Sequence, residues 1–281
     1  MNVFYLIPNI GKDPEYALTR RILQVLTAAG GRVYMPPAAA ALCAGAISAD
    51  PLPSDTELII TVGGDGTVLE ASQIAIGCDV PLLGVNRGRL GYLAEAEAEQ
   101  TEYLARLCRE TFTVRERAVL EATVAAGGGL HPCPRLSVND VVFYRASLGH
   151  ATDLTLSCEG EGSIRYLSDG LILSTPAGST AYSLSAGGPM LSPDMRAICA
   201  TPICPHSFFN RALLFREGAH LRVRNNAEQD EVTVSVDGRD DFLLPPGGIV
   251  EVRLSAQRLK MLCFEKRGFL SLLNQKLKMR E

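Results

Sequence analysis

Along the first third of the chain, apolar residues alternate between short continuous runs and stripes at helical spacing. Residues 3–7 form a run suited to a buried strand. Asp13-Pro14 supplies an N-cap and a first-turn proline. Leu18, Ile22, Val25 and Ala29 follow at helical spacing until Gly30-Gly31 stop the helix. Residues 32–35 read as a second strand, 36–53 as an Ala/Pro-rich loop and 57–62 as a third strand. A helix over 68–76, ended by Gly77, leads to a fourth strand at 80–85. A further helix, 95–110, is expected to bury Tyr103, Leu104 and Leu107. Strands that are apolar throughout and alternate with helices imply a parallel sheet covered on both faces.

From about residue 113 the texture changes. Short alternating segments recur at 113–126, 137–144, 153–158, 232–236, 249–254 and 259–264, punctuated by Gly, Pro, Asn and Asp. That is the pattern of a β-rich region. An amphipathic helix over 269–278 closes the chain. Residues 170–193 carry no charge, but Pro176, Pro189 and Pro193 with several Gly and Ser rule out a lipid-exposed helix. The stretch reads as a loop-rich interior segment.

Composition narrows the function classes. Hydrophobic residues make up 47% and charged residues 21%, with a formal charge of −4. Nothing in that balance attracts nucleic acid or an acidic membrane, so an anionic ligand needs a local site. The eight cysteines form no Cys-x-x-Cys pair and the four histidines no ligand spacing. Scattered cysteines read as reduced thiols, and the N-terminus has no leader pattern. The expected location is therefore the cytoplasm.

Gly63-Gly64-Asp65-Gly66-Thr67 stands between a buried strand and a helix start, where open α/β sheets bind ligands. Three glycines in four residues allow close backbone approach and leave amide N–H groups for phosphate oxygens. A carboxylate in such a cradle repels phosphate unless it binds Mg²⁺ or accepts a proton from an attacking hydroxyl. The P-loop, dinucleotide-fold and protein-kinase motifs are all absent.

A second cluster runs from Asp169 to Tyr182. Its small residues allow a flat ligand to lie on the backbone, its hydroxyls offer donors and acceptors, and Tyr182 offers a ring face. A tight crossing of two backbone segments explains the same composition equally well. Asn139-Asp140 interrupts an apolar strand, and in isolation reads as a β-bulge or strand end. Asp237-Gly238 follows a cleanly alternating strand and reads as a hairpin turn.

Taken in order, these segments resemble the NAD kinase family. The likeness rests on Gly63–Thr67, on 84–93 (with Tyr92 where the family usually has Phe), on Asn139-Asp140 (with Asp140 for the usual Glu), on 169–189, on 202–206 and on Asn210-Arg211. It implies an α/β domain over 1–112, a β-sandwich-like domain over 113–255 that binds NAD, and a segment over 256–281 packing back on the first. It implies transfer of a phosphoryl group from ATP or polyphosphate to the 2′-hydroxyl of the adenosine ribose of NAD. Mg²⁺ or another divalent cation, and a homodimer or homotetramer, are implied with it.

Asp65 is then the proton-accepting or Mg²⁺-linked carboxylate, with Gly64, Gly66 and Thr67 beside it. Asn139 and Asp140 hold a ribose of NAD, and Asp237 approaches the reacting ribose. Asp169 and Ala181 meet the nicotinamide end, near Ser179, Thr180, Tyr182 and Ser185, and Tyr92 completes the set. Asp140 is one methylene shorter than Glu, about 1.5 Å of carbon chain, which a water can bridge. Two rival readings remain: a lipid kinase with a similar glycine turn, and a catalytically silent NAD(H) sensor. Neither membrane nor nucleic acid is expected as a partner.

Overall fold

The computed structural model describes residues 1–86, 91, 93, 96–126, 134–146, 151–206, 210–263, 269–270 and 273–274. Two compact units emerge, Met1–Glu116 with Leu259–Glu281, and Arg117–Arg258.

The first unit begins with β1 (Val3–Pro8), α1 (Ala17–Ala28), β2 (Arg32–Met35), α2 (Pro37–Ala40) and β3 (Ile47–Ser48). It continues through β4 (Leu58–Gly63), α3 (Asp65–Cys78), β5 (Leu82–Asn86), β6 (Ala96–Glu97), a run of 3₁₀ turns (Ala98–Cys108) and β7 (Thr113–Arg117). Each residue of β4 and of β5 is buried, which is why neither shows alternation in the sequence.

Three boundaries differ from the sequence expectation, each for a physical reason. Asp13 lies outside α1 rather than at its N-cap. Its buried carboxylate still serves the helix, accepting from the Thr19 amide at 2.9 Å and the Thr19 hydroxyl at 2.7 Å. The 98–108 run is 3₁₀ rather than α. Its buried residues Thr101, Leu104 and Leu107 recur every third position, the spacing that eclipses side chains in a 3₁₀ turn, whereas Tyr103 is off that stripe and exposed. Finally, α3 starts at Asp65, three residues earlier than its apolar stripe suggests, so the glycine turn is the first turn of the helix. The 36–53 stretch also carries α2 and the two residues of β3.

The second unit holds β8 (Leu120–Ala126), β9 (Arg135–Ser137), β10 (Asp140–Arg145), β11 (Thr152–Cys158), β12 (Gly162–Ser168) and β13 (Gly170–Ser174). A 3₁₀ turn (Gly178–Thr180) and α3's short successor α4 (Tyr182–Ser185) precede β14 (Ala197–Ile203), β15 (Leu213–Arg216), β16 (Leu221–Asn225), β17 (Val232–Val236), β18 (Arg239–Leu244) and β19 (Ile249–Leu254). The strands pair as two six-stranded sheets, β15-β14-β13-β10-β17-β18 and β12-β11-β16-β19-β8-β9. One apolar core, with Phe143, Leu171, Val234, Leu156, Tyr166 and Val250 among its members, joins the inner faces of both. The unit is a β-sandwich.

The uncharged 170–193 stretch opens with β13, a central strand, and only its remainder is turns and α4. Every β13 residue is buried, so it lacks the alternation that marks a half-exposed strand. Beyond the sandwich the chain forms β20 (Leu259–Cys263), which pairs parallel with β5 at Met261 and Leu82. The first unit's sheet therefore runs β3-β2-β1-β4-β5-β20-β7, with β6 also on β5. Of the expected closing helix, residues 269–270 and 273–274 are described and helical. Among the described residues no helix is long and apolar enough to cross a membrane.

Candidate functional site

In the first unit the site is the turn between β4 and α3. Gly63 is required by packing: a Cβ there would overlap the Thr67 hydroxyl. That hydroxyl is itself held, accepting from Asn9 Nδ2 at 3.0 Å, while the Asn9 amide donates to the Val62 carbonyl at 2.9 Å. Thr67 is thus a buried anchor of the turn. Gly64 and Gly66 are different, because a Cβ at either would meet nothing within 4 Å. Packing does not demand these two glycines, and the open space above them suits backbone contact with a ligand.

Asp65 is the first residue of α3, at the positive end of the helix dipole, where a carboxylate or a phosphate is favoured. Its Oδ1 accepts from the Leu93 amide at 3.0 Å. Gly91 lies so close that a Cβ there would overlap the same carboxylate. Residues 91 and 93 therefore cradle the acid. Tyr92, between them, lies outside the described residues.

In the second unit the site is built on the outer face of one sheet. Strand alternation puts Val141 and Phe143 into the core and turns Asp140, Val142 and Tyr144 outward. Asp237, in a left-handed turn conformation (φ 54°) at the β17–β18 corner, holds the entry to β10. Its carboxylate accepts from the Ser137 hydroxyl at 2.6 Å and from the amides of Val138 (2.8 Å), Asn139 (2.7 Å) and Asp140 (3.1 Å). From the other side, the Thr175 hydroxyl donates to the Val138 carbonyl at 2.6 Å and accepts from the Gly178 amide at 3.0 Å. The Thr175 amide donates to the Asn139 carbonyl at 2.8 Å. Gly178 presses on that same backbone so closely that a Cβ would overlap Asn139. Loops from 137–140, 175–178 and 237 thus form one clasp that presents Asn139 and Asp140.

Asp140 is buried, and loss of hydration pushes its carboxyl up to about 7, with the nearby Asp237 charge adding to the rise. Beside it opens a hollow of about 510 Å³ lined by Asp140, Tyr144, Arg145, Asp169, Tyr182 and Ile203, with Val142, Ser235 and Gly238. Asp169 sits at the β12–β13 corner, its amide bonded to the Ile203 carbonyl at 2.9 Å. Its Oδ1 accepts from the Arg145 guanidinium at 3.0 Å. Tyr182 is 46% exposed at the rim. A flat, partly polar group fits these aromatic and aliphatic walls with their few convergent polar atoms. A hollow on the opposite sheet, about 400 Å³ over Glu121, Arg222, Glu251 and Arg253, differs because two surface ion pairs stand in its walls and, among the described residues, no tyrosine or phenylalanine ring lines it.

Of the expected residues in the second unit, Asp140, Asp169 and Tyr182 line the hollow, and Asn139 and Asp237 belong to the clasp that borders it. Ser179 is buried and engaged within its own loop, donating to the Pro176 carbonyl and accepting from the Leu191 amide. The Thr180 hydroxyl donates to the Ala177 carbonyl, and the Ala181 amide to the Gly178 carbonyl. Ser185 is exposed at the end of α4. Two further residues of the site, Ser137 and Arg145, carry no local signal in the sequence. Ser137 reads as an ordinary strand residue and Arg145 as an ordinary strand-end charge, because only pairing across the sheet brings them to the site.

Family models for the ATP-NAD kinase N-terminal and C-terminal domains match residues 48–111 and 138–263. An NAD kinase of Natranaerobius thermophilus is 34% identical over 97% of this chain and 96% of its own length. One of Symbiobacterium thermophilum is 36% identical over 95% and 96%, and one of Caldicellulosiruptor bescii 38% identical over 79% and 82%. Among solved structures, yeast NADH kinase complexed with NADH superposes with a TM-score of 0.85 over 100% of this chain and 89% of its own, at 23% identity. An NAD kinase from Archaeoglobus fulgidus in complex with ATP gives 0.74 over 98% of both chains, also at 23% identity. At that identity the structures speak for the fold.

Proposed function

The chain belongs to the NAD kinase family, and on that premise we propose that it transfers the terminal phosphoryl group of ATP to the 2′-hydroxyl of the adenosine ribose of NAD, giving NADP. One observation carries the reading at residue level: a cradled acid, Asp65, opens a helix beside two glycines whose Cβ positions are empty. Gly64 and Gly66 offer backbone N–H groups to donor phosphates. Asp65 takes the proton of the attacking hydroxyl as the new O–P bond forms and the bond to the nucleoside diphosphate breaks.

In the second unit, Asn139 and Asp140 are the groups proposed to hold ribose hydroxyls, kept in place by Asp237 and Thr175. The hollow beside Asp169 and Tyr182 is proposed to take the nicotinamide end, with Ala181, Thr180 and Ser185 nearby. Among the described residues no three metal-binding side chains gather. A divalent ion such as Mg²⁺ would be held chiefly by the donor phosphates, with Asp65 as the nearby carboxylate. When bound, such an ion would supply charge neutralisation on the phosphates. We also propose a cytoplasmic homodimer or homotetramer, for which light scattering is the direct test.

Incubating the purified chain with NAD, ATP and Mg²⁺, and following NADP through a dehydrogenase-coupled readout, tests the activity. Polyphosphate in place of ATP tests the donor. No NADP with either donor removes the kinase reading. Tight NAD binding without turnover would then favour the sensor.

A further inference from the structure

We propose that Arg145 sets the redox-state selectivity of the hollow: by neutralising Asp169, its guanidinium makes the site accept the oxidised and the reduced nicotinamide alike. This rests on the reading above that the nicotinamide end occupies the hollow.

The two forms of the ring differ by one charge. Oxidised nicotinamide is a cation and the reduced ring is neutral, while their shapes and carboxamides are similar. A wall carrying an isolated carboxylate favours the cation by Coulomb attraction, and an isolated guanidinium disfavours it. In this hollow both stand together. Arg145 reaches Asp169 Oδ1 at 3.0 Å, and its amide also donates to the Asp169 carbonyl at 3.2 Å, so the pair is fixed at side chain and backbone. Both side chains line the hollow and are only about one third exposed.

The other charges in reach do not restore a strong cation preference. Asp140 loses much of its charge near neutrality, Asp237 is surrounded by four donors with the Arg239 guanidinium at 3.7 Å, and Asp241 accepts from the Tyr144 hydroxyl at 3.2 Å at the exposed edge. The remaining walls, Val142, Ile203 and the rings of Tyr144 and Tyr182, offer apolar and aromatic faces to either form of a flat ring, and the partly exposed tyrosines add only a modest cation–π attraction to the oxidised one.

The test is the ratio of dissociation constants for NAD and NADH on the full chain, measured by calorimetry and by NADH fluorescence at low and high salt. The wild type is expected to bind the two within a few-fold. Arg145→Gln exposes the Asp169 charge, and should shift the ratio about three- to tenfold toward NAD, less at high salt. Arg145→Lys keeps a cation and should stay near wild type, and Asp169→Asn should move the ratio toward NADH. An unchanged ratio in Arg145→Gln, or an equal loss of both nucleotides, overturns the proposal. Binding is read without turnover, so a wild type that binds both nucleotides but makes no NADP sinks the kinase reading and leaves this test intact. A wild type that binds neither overturns both.

Discussion

Ser137 and Asp237 stand one hundred positions apart in the chain, yet the serine hydroxyl donates to the aspartate carboxylate at 2.6 Å, in the centre of the clasp that presents Asn139 and Asp140. The contact exists because β17 pairs antiparallel with β10, Val236 opposite Val141, which brings the β17–β18 corner beside the entry to β10.

Removing the carboxylate should cost both stability and binding. Asp237→Ala leaves three backbone amides and a hydroxyl without their acceptor, and each unmet buried donor costs about 1–3 kcal/mol. Ser137→Ala leaves the amides served and should cost about 1 kcal/mol. Urea unfolding orders the two variants, and the Michaelis constant for NAD should rise much more in Asp237→Ala. Equal, small effects in both would remove Asp237 as the organiser of the clasp.

Asp140 makes stability depend on pH. Its folded-state carboxyl titrates at about 7, well above the ordinary carboxylate value, because burial and Asp237 disfavour the charge. The folded chain thus holds this proton more tightly than the unfolded chain. The stabilisation is complete below about pH 4 and is lost as pH rises through 7, on the order of 4 kcal/mol for roughly three pH units. Asp140→Asn should flatten this part of the profile and be the more stable chain at pH 8. Unfolding by urea at pH 5 and pH 8 gives the comparison, and parallel profiles for the two chains would count against it.

Asp65→Asn should keep the fold and NAD binding but lose at least about a hundredfold in kcat, within the range typical of positioned proton acceptors. Gly91→Ala offers an independent route to the same end, because its Cβ would displace the Asp65 carboxylate. Both variants should show normal circular dichroism and NAD affinity. Wild-type turnover in Gly91→Ala would show that the acid need not sit where 91 and 93 hold it.

Two glycines separate packing from ligand contact. Gly178→Ala would overlap Asn139, so it should raise the Michaelis constant for NAD and lower the melting temperature by several degrees. Gly64→Ala meets no protein atom, so its melting temperature should stay near wild type while the Michaelis constant for ATP rises. Reversed effects on nucleotide and donor would overturn these assignments.

The pattern of apolar positions by itself determined the strand and helix alternation of the first unit and the β-rich character of the second. Buried runs such as β4 and alternating runs such as β17 declare their environment locally. The glycine turn with its acid was legible for the same reason, since a strand end, three glycines and a helix start are neighbours in the chain. The central strand β13 was not legible, because its apolar run is only Leu171-Ile172-Leu173 and merges into a Gly-, Ser- and Pro-containing uncharged stretch that reads as loop. Nor was the grouping of Ser137, Thr175 and Asp237, or the pairing of Arg145 with Asp169. Those contacts depend on which strands pair and in which register. Register is chosen by burial summed over a whole sandwich, so no short stretch of sequence carries it, and only the tertiary structure decides it.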